Sequence, residues 1–151
     1  MKQTPKEIKI QENMKPGNIT RDGFLGNDKR NLNEIIVDDE IKMKKNNINP
    51  DKIAERMEYF TKKAFDTYKD EITVDKYFKV SYRSVRGRII SPFKNMKNFP
   101  KGEITLTNLK KNITITWTPL NISMIRDYHF FEGKGSKHRL DPQKLNDALY
   151  E

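Results

Sequence analysis

Ile104-Thr105-Leu106-Thr107, the link Asn108-Leu109-Lys110-Lys111-Asn112, and Ile113-Thr114-Ile115-Thr116-Trp117 together decide the fold. Apolar residues and threonines alternate on both sides of the short polar link. Successive strand side chains point to opposite faces, so each arm turns its apolar set one way and its threonines the other. A link of this length, rich in Asn, suits a hairpin. Upstream, Phe78, Val80 and Tyr82 alternate with Lys79, Ser81 and Arg83, which predicts another one-sided strand. Gly87 marks a bend before Arg88-Ile89-Ile90, Pro92 ends that run, and 94–102 reads as a polar loop.

On either side of these strands the period becomes helical. Leu32, Ile35, Ile36 and Ile41 lie along one side of a helix over about 31–45, with Val37 off the stripe. Asn49 is a good N-cap with Pro50 at the first helical position. From there Ile53, Met57, Phe60, Ala64 and Tyr68 recur at three- and four-residue steps, which predicts an amphipathic helix over about 50–69. A short helix over about 120–129 places Leu120, Met124, Ile125 and Tyr128 on one face. Asp141-Pro142 opens a terminal helix with Leu145, Ala148 and Leu149 inward. The expectation is an α+β domain over 23–151, with an antiparallel sheet of three to five strands and helices packed on one face. Residues 1–22 are polar and broken by Pro5 and Pro16-Gly17. They read as a flexible N-terminal tail, with at most a short edge strand over 7–11.

Composition narrows the function. The 151 residues include 30 Lys+Arg, 21 Asp+Glu and no Cys. Without Cys there is no disulfide framework, thiolate catalysis or thiolate-bound metal. Apolar runs stop at three residues, so no membrane span can be built, and the expected setting is cytoplasmic. The formal charge of +9 is uneven. Residues 31–75 come to −3, whereas 76–140 hold fourteen basic side chains against Glu103, Asp127 and Glu132. That asymmetry points to an anionic partner for the basic segment, or to contact between basic and acidic halves within the fold.

Two constellations stand out. Arg83, Arg86 and Arg88 gather around Gly87, and guanidinium groups make paired hydrogen bonds to phosphate oxygens. The second runs from His129 to Arg139 and holds both histidines, Gly133, Gly135 and the cations Lys134, Lys137 and Arg139. Its permissive backbone suits an anion, with Lys134 and Arg139 adding charge. As chemistry, His129 or His138 with Glu132 supplies acid and base, and Ser136 a hydroxyl nucleophile. No metal site or cofactor is expected, since two histidines nine positions apart lack defined co-ligands. Asp38-Asp39-Glu40 reads as a solvated helix face, because adjacent helical residues do not point one way.

The stretches Gly23-Phe24-Leu25-Gly26-x-Asp28-x-Arg30, Arg86-Gly87…Pro92-Phe93 and Phe130-Phe131-Glu132-Gly133-Lys134-Gly135-Ser136-x-x-Arg139-Leu140 resemble a family of small uncharacterised bacterial proteins. The likeness covers about 22–150 and implies a shared fold and a bacterial cytoplasmic setting, with no activity attached. The family pattern often has a Cys before Pro-Phe and a His before Gly-Phe-Phe. Here those positions are Ser91 and Tyr128.

The leading expectation is therefore a non-enzymatic binding or accessory protein. Its basic sheet region would contact nucleic acid or another polyanion through Arg83, Arg86 and Arg88, with Lys134 and Arg139 in support. The alternative is a small enzyme on a phosphorylated or other anionic substrate, using His129, Glu132, Ser136 and His138; it predicts that these side chains converge in one concave pocket, and a splayed arrangement on a convex surface would count against it. A third reading is a protein partner or homo-oligomer, in which acidic helices and basic strands of different copies meet.

Overall fold

The computed structural model describes residues 2–66, 70–93 and 97–151. In chain order the helices are α1 (Pro5–Asn13), α2 (Leu32–Lys45), α3 (Pro50–Phe65), α4 (Pro119–Tyr128) and α5 (Pro142–Leu149). The strands are β1 (Glu71–Val74), β2 (Phe78–Arg83), β3 (Arg88–Ile90), β4 (Asn98–Pro100), β5 (Glu103–Asn108) and β6 (Ile113–Trp117).

β5 and β6 form the expected hairpin, with Leu106 opposite Ile115 and Ile104 opposite Trp117. β2 pairs with the other edge of β5, and β1 lies outside β2, giving the antiparallel order β1-β2-β5-β6. Val74, Phe78, Val80, Ile104, Leu106, Ile115 and Trp117 are buried on one face. Lys79, Ser81, Arg83 and the threonines occupy the other, where the hydroxyls of Thr105 and Thr116, and of Thr107 and Thr114, meet at 3.0 Å. The alternation thus sets up an apolar side for helices and an open polar side. Asn108 shapes the hairpin end, its Oδ1 accepting the Lys110 and Lys111 N–H groups while its amide donates to the Ala148 and Tyr150 carbonyls.

α3 covers the apolar face with Ile53, Ala54, Met57, Phe60 and Ala64, and Asn49 Oδ1 caps it by accepting the Asp51 N–H at 2.9 Å. α5 packs beside α3 and β6. α4 lies between two cores. Ile122 and Ile125 join the sheet core, while Leu120 and Met124 join a second cluster of Met14, Phe24, Leu25, Leu32, Ile35, Phe93 and Phe130. That position explains why Leu120–Ile125 is buried without a break and not on one face alone.

Several expectations need correction. In place of a flexible arm there is α1, and Met14 at its end is fully buried. The edge strand over 7–11 is part of that helix. The signal was Thr4-Pro5-x-Glu7, a capping box with Pro at the first helical position, whose two reciprocal bonds both form. In α2 the buried stripe is Leu32, Ile35, Asp39 and Met43, and Ile41 is 60% exposed. Asp38-Asp39-Glu40 is accordingly not a solvated step, because Asp39 points inward. Residues 98–100, expected as loop, are β4, which pairs with β3 as a separate two-stranded sheet. β1 was not anticipated. The helical end over 67–69, with Tyr68, lies outside the described residues, as does Lys94. No helix among the described residues is long and apolar enough to cross a membrane.

Candidate binding cavity

Two glycine-containing segments, 23–28 and 132–136, dock on each other. The Gly133 N–H donates to the Phe24 carbonyl at 3.0 Å and the Asn27 N–H to the Lys134 carbonyl at 3.0 Å. The backbones approach so closely that a Cβ on Gly133 would overlap the Leu25 carbonyl, and one on Gly26 would overlap Lys134 and Ser136 backbone atoms. Asp28 locks the junction. Its carboxylate accepts the Lys134 N–H at 3.1 Å, the Arg30 N–H at 3.1 Å and the Arg30 guanidinium on both oxygens. Those hydrogen bonds from Arg30 hold the Asp28 carboxyl well below the ordinary carboxylate range.

This junction sets the backbone of Glu132 in the left-handed region, φ +68°. A non-Gly residue persists there only when its surroundings over-determine it. Here Arg139 Nη1 donates to the Glu132 carbonyl at 2.9 Å, while both carboxyl oxygens are engaged. Asn121 Nδ2 donates to Oε2 at 2.8 Å, and Ser136 Oγ donates to Oε1. Asn121 is itself oriented, since its Oδ1 accepts the Thr118 N–H at 2.8 Å. Glu132 is only 3% exposed. Burial pushes its carboxyl up, and the bonds from Ser136 and Asn121 offset that only in part.

At the end of the open sheet face, Arg83 on β2 sits opposite Glu103 on β5 and the two form an ion pair. His138 Nε2 lies 3.2 Å from the other Glu103 oxygen. Burial pushes the Glu103 carboxyl up, but the hydrogen bonds from Arg83 and His138 outweigh it and keep it below its ordinary value. An ionised carboxylate only accepts, so Nε2 carries the hydrogen in this contact.

Glu132, Glu103, His138 and Arg83 all line one cavity of about 410 Å³. Arg21, Asp22, Lys101 and Lys137 add charge to its walls, and Phe24, Val85, Ile89 and Leu120 add apolar surface. Lys101 and Lys137 are exposed and have no side-chain partner among the described residues.

The candidate residues read from sequence are thus only partly brought together. Arg83 reaches the cavity already paired with Glu103. Arg88 points elsewhere and bonds Asn98, while Arg86 and Lys134 are exposed without side-chain partners among the described residues. Arg139 is engaged by Asp39, Nη1 and Nη2 meeting its two oxygens at 2.6 and 2.9 Å with little exposure. Among the acid–base candidates, Glu132 and His138 share the cavity and Ser136 bonds Glu132. His129 does not join them. It ends α4 in a left-handed conformation, with Nδ1 2.7 Å from Glu40 Oε2. Sequence reasoning missed Glu103, Arg21 and Asn121. Glu103 carried a usable signal, being one of three acids in the segment 76–140.

Among the described residues no group of His, Asp and Glu side chains is arranged to hold a metal ion. Comparison with protein-family models, with curated proteins and with solved structures gives no match to this chain.

Proposed function

We propose that the cavity binds a small molecule with an anionic group and an apolar body, and that Glu132 and His138 supply an acid and a base to it. The observation that carries this reading is Glu132, a sealed carboxyl on a left-handed backbone at the wall of a cavity. Burying a carboxyl costs free energy that packing alone does not require, and such arrangements concentrate at functional sites. Its raised pKa lets it carry a proton at higher pH than an ordinary carboxyl, while His138, oriented by Glu103, offers the complementary acceptor. Lys101 and Lys137, which have no side-chain partner among the described residues, supply attraction for the anionic group.

The broader reading, a polyanion laid across the strand region, would draw on Arg86 and Arg88. It has less support, because the open sheet face is largely threonine, Lys79 is bridged to Glu71 and Arg83 to Glu103. The likeness to the bacterial family rests largely on the segments whose docking builds the cavity. We read it as a shared structural requirement in a bacterial cytoplasmic protein.

Thermal-shift and calorimetric titration with a panel of phosphate monoesters and carboxylates tests the proposal. A panel member is expected to raise Tm and to bind at least about tenfold more weakly to the Lys101→Ala/Lys137→Ala double variant, a loss of about 1.4 kcal/mol. Glu132→Gln is expected to retain binding but lose turnover of that compound. Absence of any binding member, or equal affinity in the double variant, overturns the reading.

A further inference from the structure

Over most of the molecule, cations with defined partners meet carboxylates. Arg30 meets Asp28 and Asp38, Lys42 meets Asp141, Arg126 meets Glu58 and Arg139 meets Asp39. Besides Arg88, which bonds Asn98, one surface departs from this pattern. It is formed by the outer side of α3, the β1–β2 turn, the β5–β6 turn and the residues after α5, and it shares no residue with the cavity. Here the cations rest on aromatic rings and carbonyl oxygens. Arg56 lies 5.3 Å from the ring centre of Tyr59 and 5.5 Å from that of Tyr150, and it donates to the Leu149 carbonyl at 2.9 Å. Lys63 lies 5.5 Å from the Tyr59 ring and Lys110 5.3 Å from the Tyr77 ring. Lys111 Nζ donates to the Asp147 and Tyr150 carbonyls at 3.0 and 2.9 Å. None of these partners bears a formal charge, so the positive charge stays available to a ligand.

The pieces form one continuous surface. Tyr59 Oη donates to Asp75 Oδ2 at 3.0 Å, joining α3 to the β1–β2 turn, and the Leu109 N–H donates to the Tyr77 carbonyl at 2.7 Å, joining the two turns. The apolar groups between the cations are open to solvent, with Tyr77 36%, Leu109 46% and Tyr150 37% exposed. An open recess of about 360 Å³ lies among Lys52, Glu55, Arg56, Tyr59 and Tyr150.

We propose that this surface binds single-stranded nucleic acid without sequence preference. Unpaired bases stack on Tyr77 and Tyr150, and the backbone phosphates lie along Lys52, Lys76, Lys110 and Lys111. Exposed rings beside cations that have no carboxylate partner among the described residues match a ligand that alternates flat bases with phosphates. A duplex hides its base faces within the stack, and an acidic peptide has no use for the rings.

Fluorescence anisotropy with a labelled oligothymidylate of about 15 nucleotides, its duplex counterpart as competitor, decides the matter. The single strand is expected to bind more tightly than the duplex, with affinity falling steeply between about 50 and about 200 mM salt. Tyr77→Ala and Tyr150→Ala are each expected to weaken binding about tenfold. Lys110→Glu/Lys111→Glu is expected to weaken it further and flatten the salt dependence. The Lys101→Ala/Lys137→Ala variant keeps full affinity, which separates this surface from the cavity. No binding at low salt, preference for the duplex, or loss in the cavity variant with the tyrosine variants unaffected overturns the proposal. Should Tyr150→Ala fail to fold, Tyr77→Ala and Lys110→Glu decide it, since both change exposed turn side chains.

Discussion

Glu132 combines a left-handed backbone with a carboxyl sealed from water, and each is unfavourable on its own. A folded-state pKa above the unfolded value means that folding prefers the protonated form. Its contribution is complete below the unfolded value of about 4.3 and is lost as pH rises through the raised folded value. Gln at this position has no charge to desolvate. It keeps an acceptor for Asn121, and its amide faces the Ser136 hydroxyl. Glu132→Gln is therefore expected to be more stable than the parent above the raised pKa and to converge with it in acid, as read by urea unfolding across a pH series. A constant penalty at every pH would show that the carboxylate is favourable where it sits. Only half of this residue was legible from sequence. Its place in a Gly-rich, charged loop marked it as a candidate, but its burial depends on the docking of the 23–28 segment from the other end of the chain, and on contacts to Asn121 and Arg139 that no local period announces.

At the scale of elements, the two docked glycine segments hold the cavity open to the right groups. Gly133→Ala forces a Cβ onto the Leu25 carbonyl, and the backbones must separate. The expected cost is about 3 kcal/mol in denaturant unfolding, together with loss of the Asp28–Lys134 bond seen as faster exchange of the Lys134 amide. A loss under about 0.5 kcal/mol, the size of an ordinary surface change, would mean that the segments are not docked in solution. β2, β5, β6, α3 and α5 were readable because their patterns are local. A period of 2 or 3.6 and a cap lie within a few neighbouring residues. β4 was not, since three residues containing Pro100 carry no period and become a strand only by pairing with β3. α2 shows a subtler failure. The stripe Leu32, Ile35, Asp39, Met43 has perfect helical spacing, but a charged residue in third place diverts the eye to Ile41. Asp39 is tolerated because Arg139 arrives from 100 residues away to pair with it.

For the whole molecule, the uneven charge read from sequence is partly resolved within the chain. Arg126 meets Glu58, His129 meets Glu40 and Arg139 meets Asp39, each joining the basic segment to the acidic one. Asp28, Glu58, Glu103 and Asp141 all titrate below their ordinary values. A depressed folded value stabilises above the unfolded one, near 4, and that stability is lost as pH falls through the folded value. Stability is thus expected to fall on the acid side through these groups and on the alkaline side through Glu132, leaving a maximum between. Asp28→Asn is expected to cost about 3 kcal/mol at neutral pH, as for other broken buried pairs, and the difference should close in strong acid. An unchanged acid limb in Asp28→Asn would show that the Asp28–Arg30 pair is not what acid breaks. By itself the sequence determined the α+β class, the hairpin, the apolar face and the capped starts of α3 and α5, because hydrophobic periodicity and capping act over neighbouring residues. Which cations keep their charge, and which of the four acid–base candidates share a cavity, was decided only by the tertiary structure. Desolvation and ion pairing depend on groups that meet in space from opposite ends of the chain.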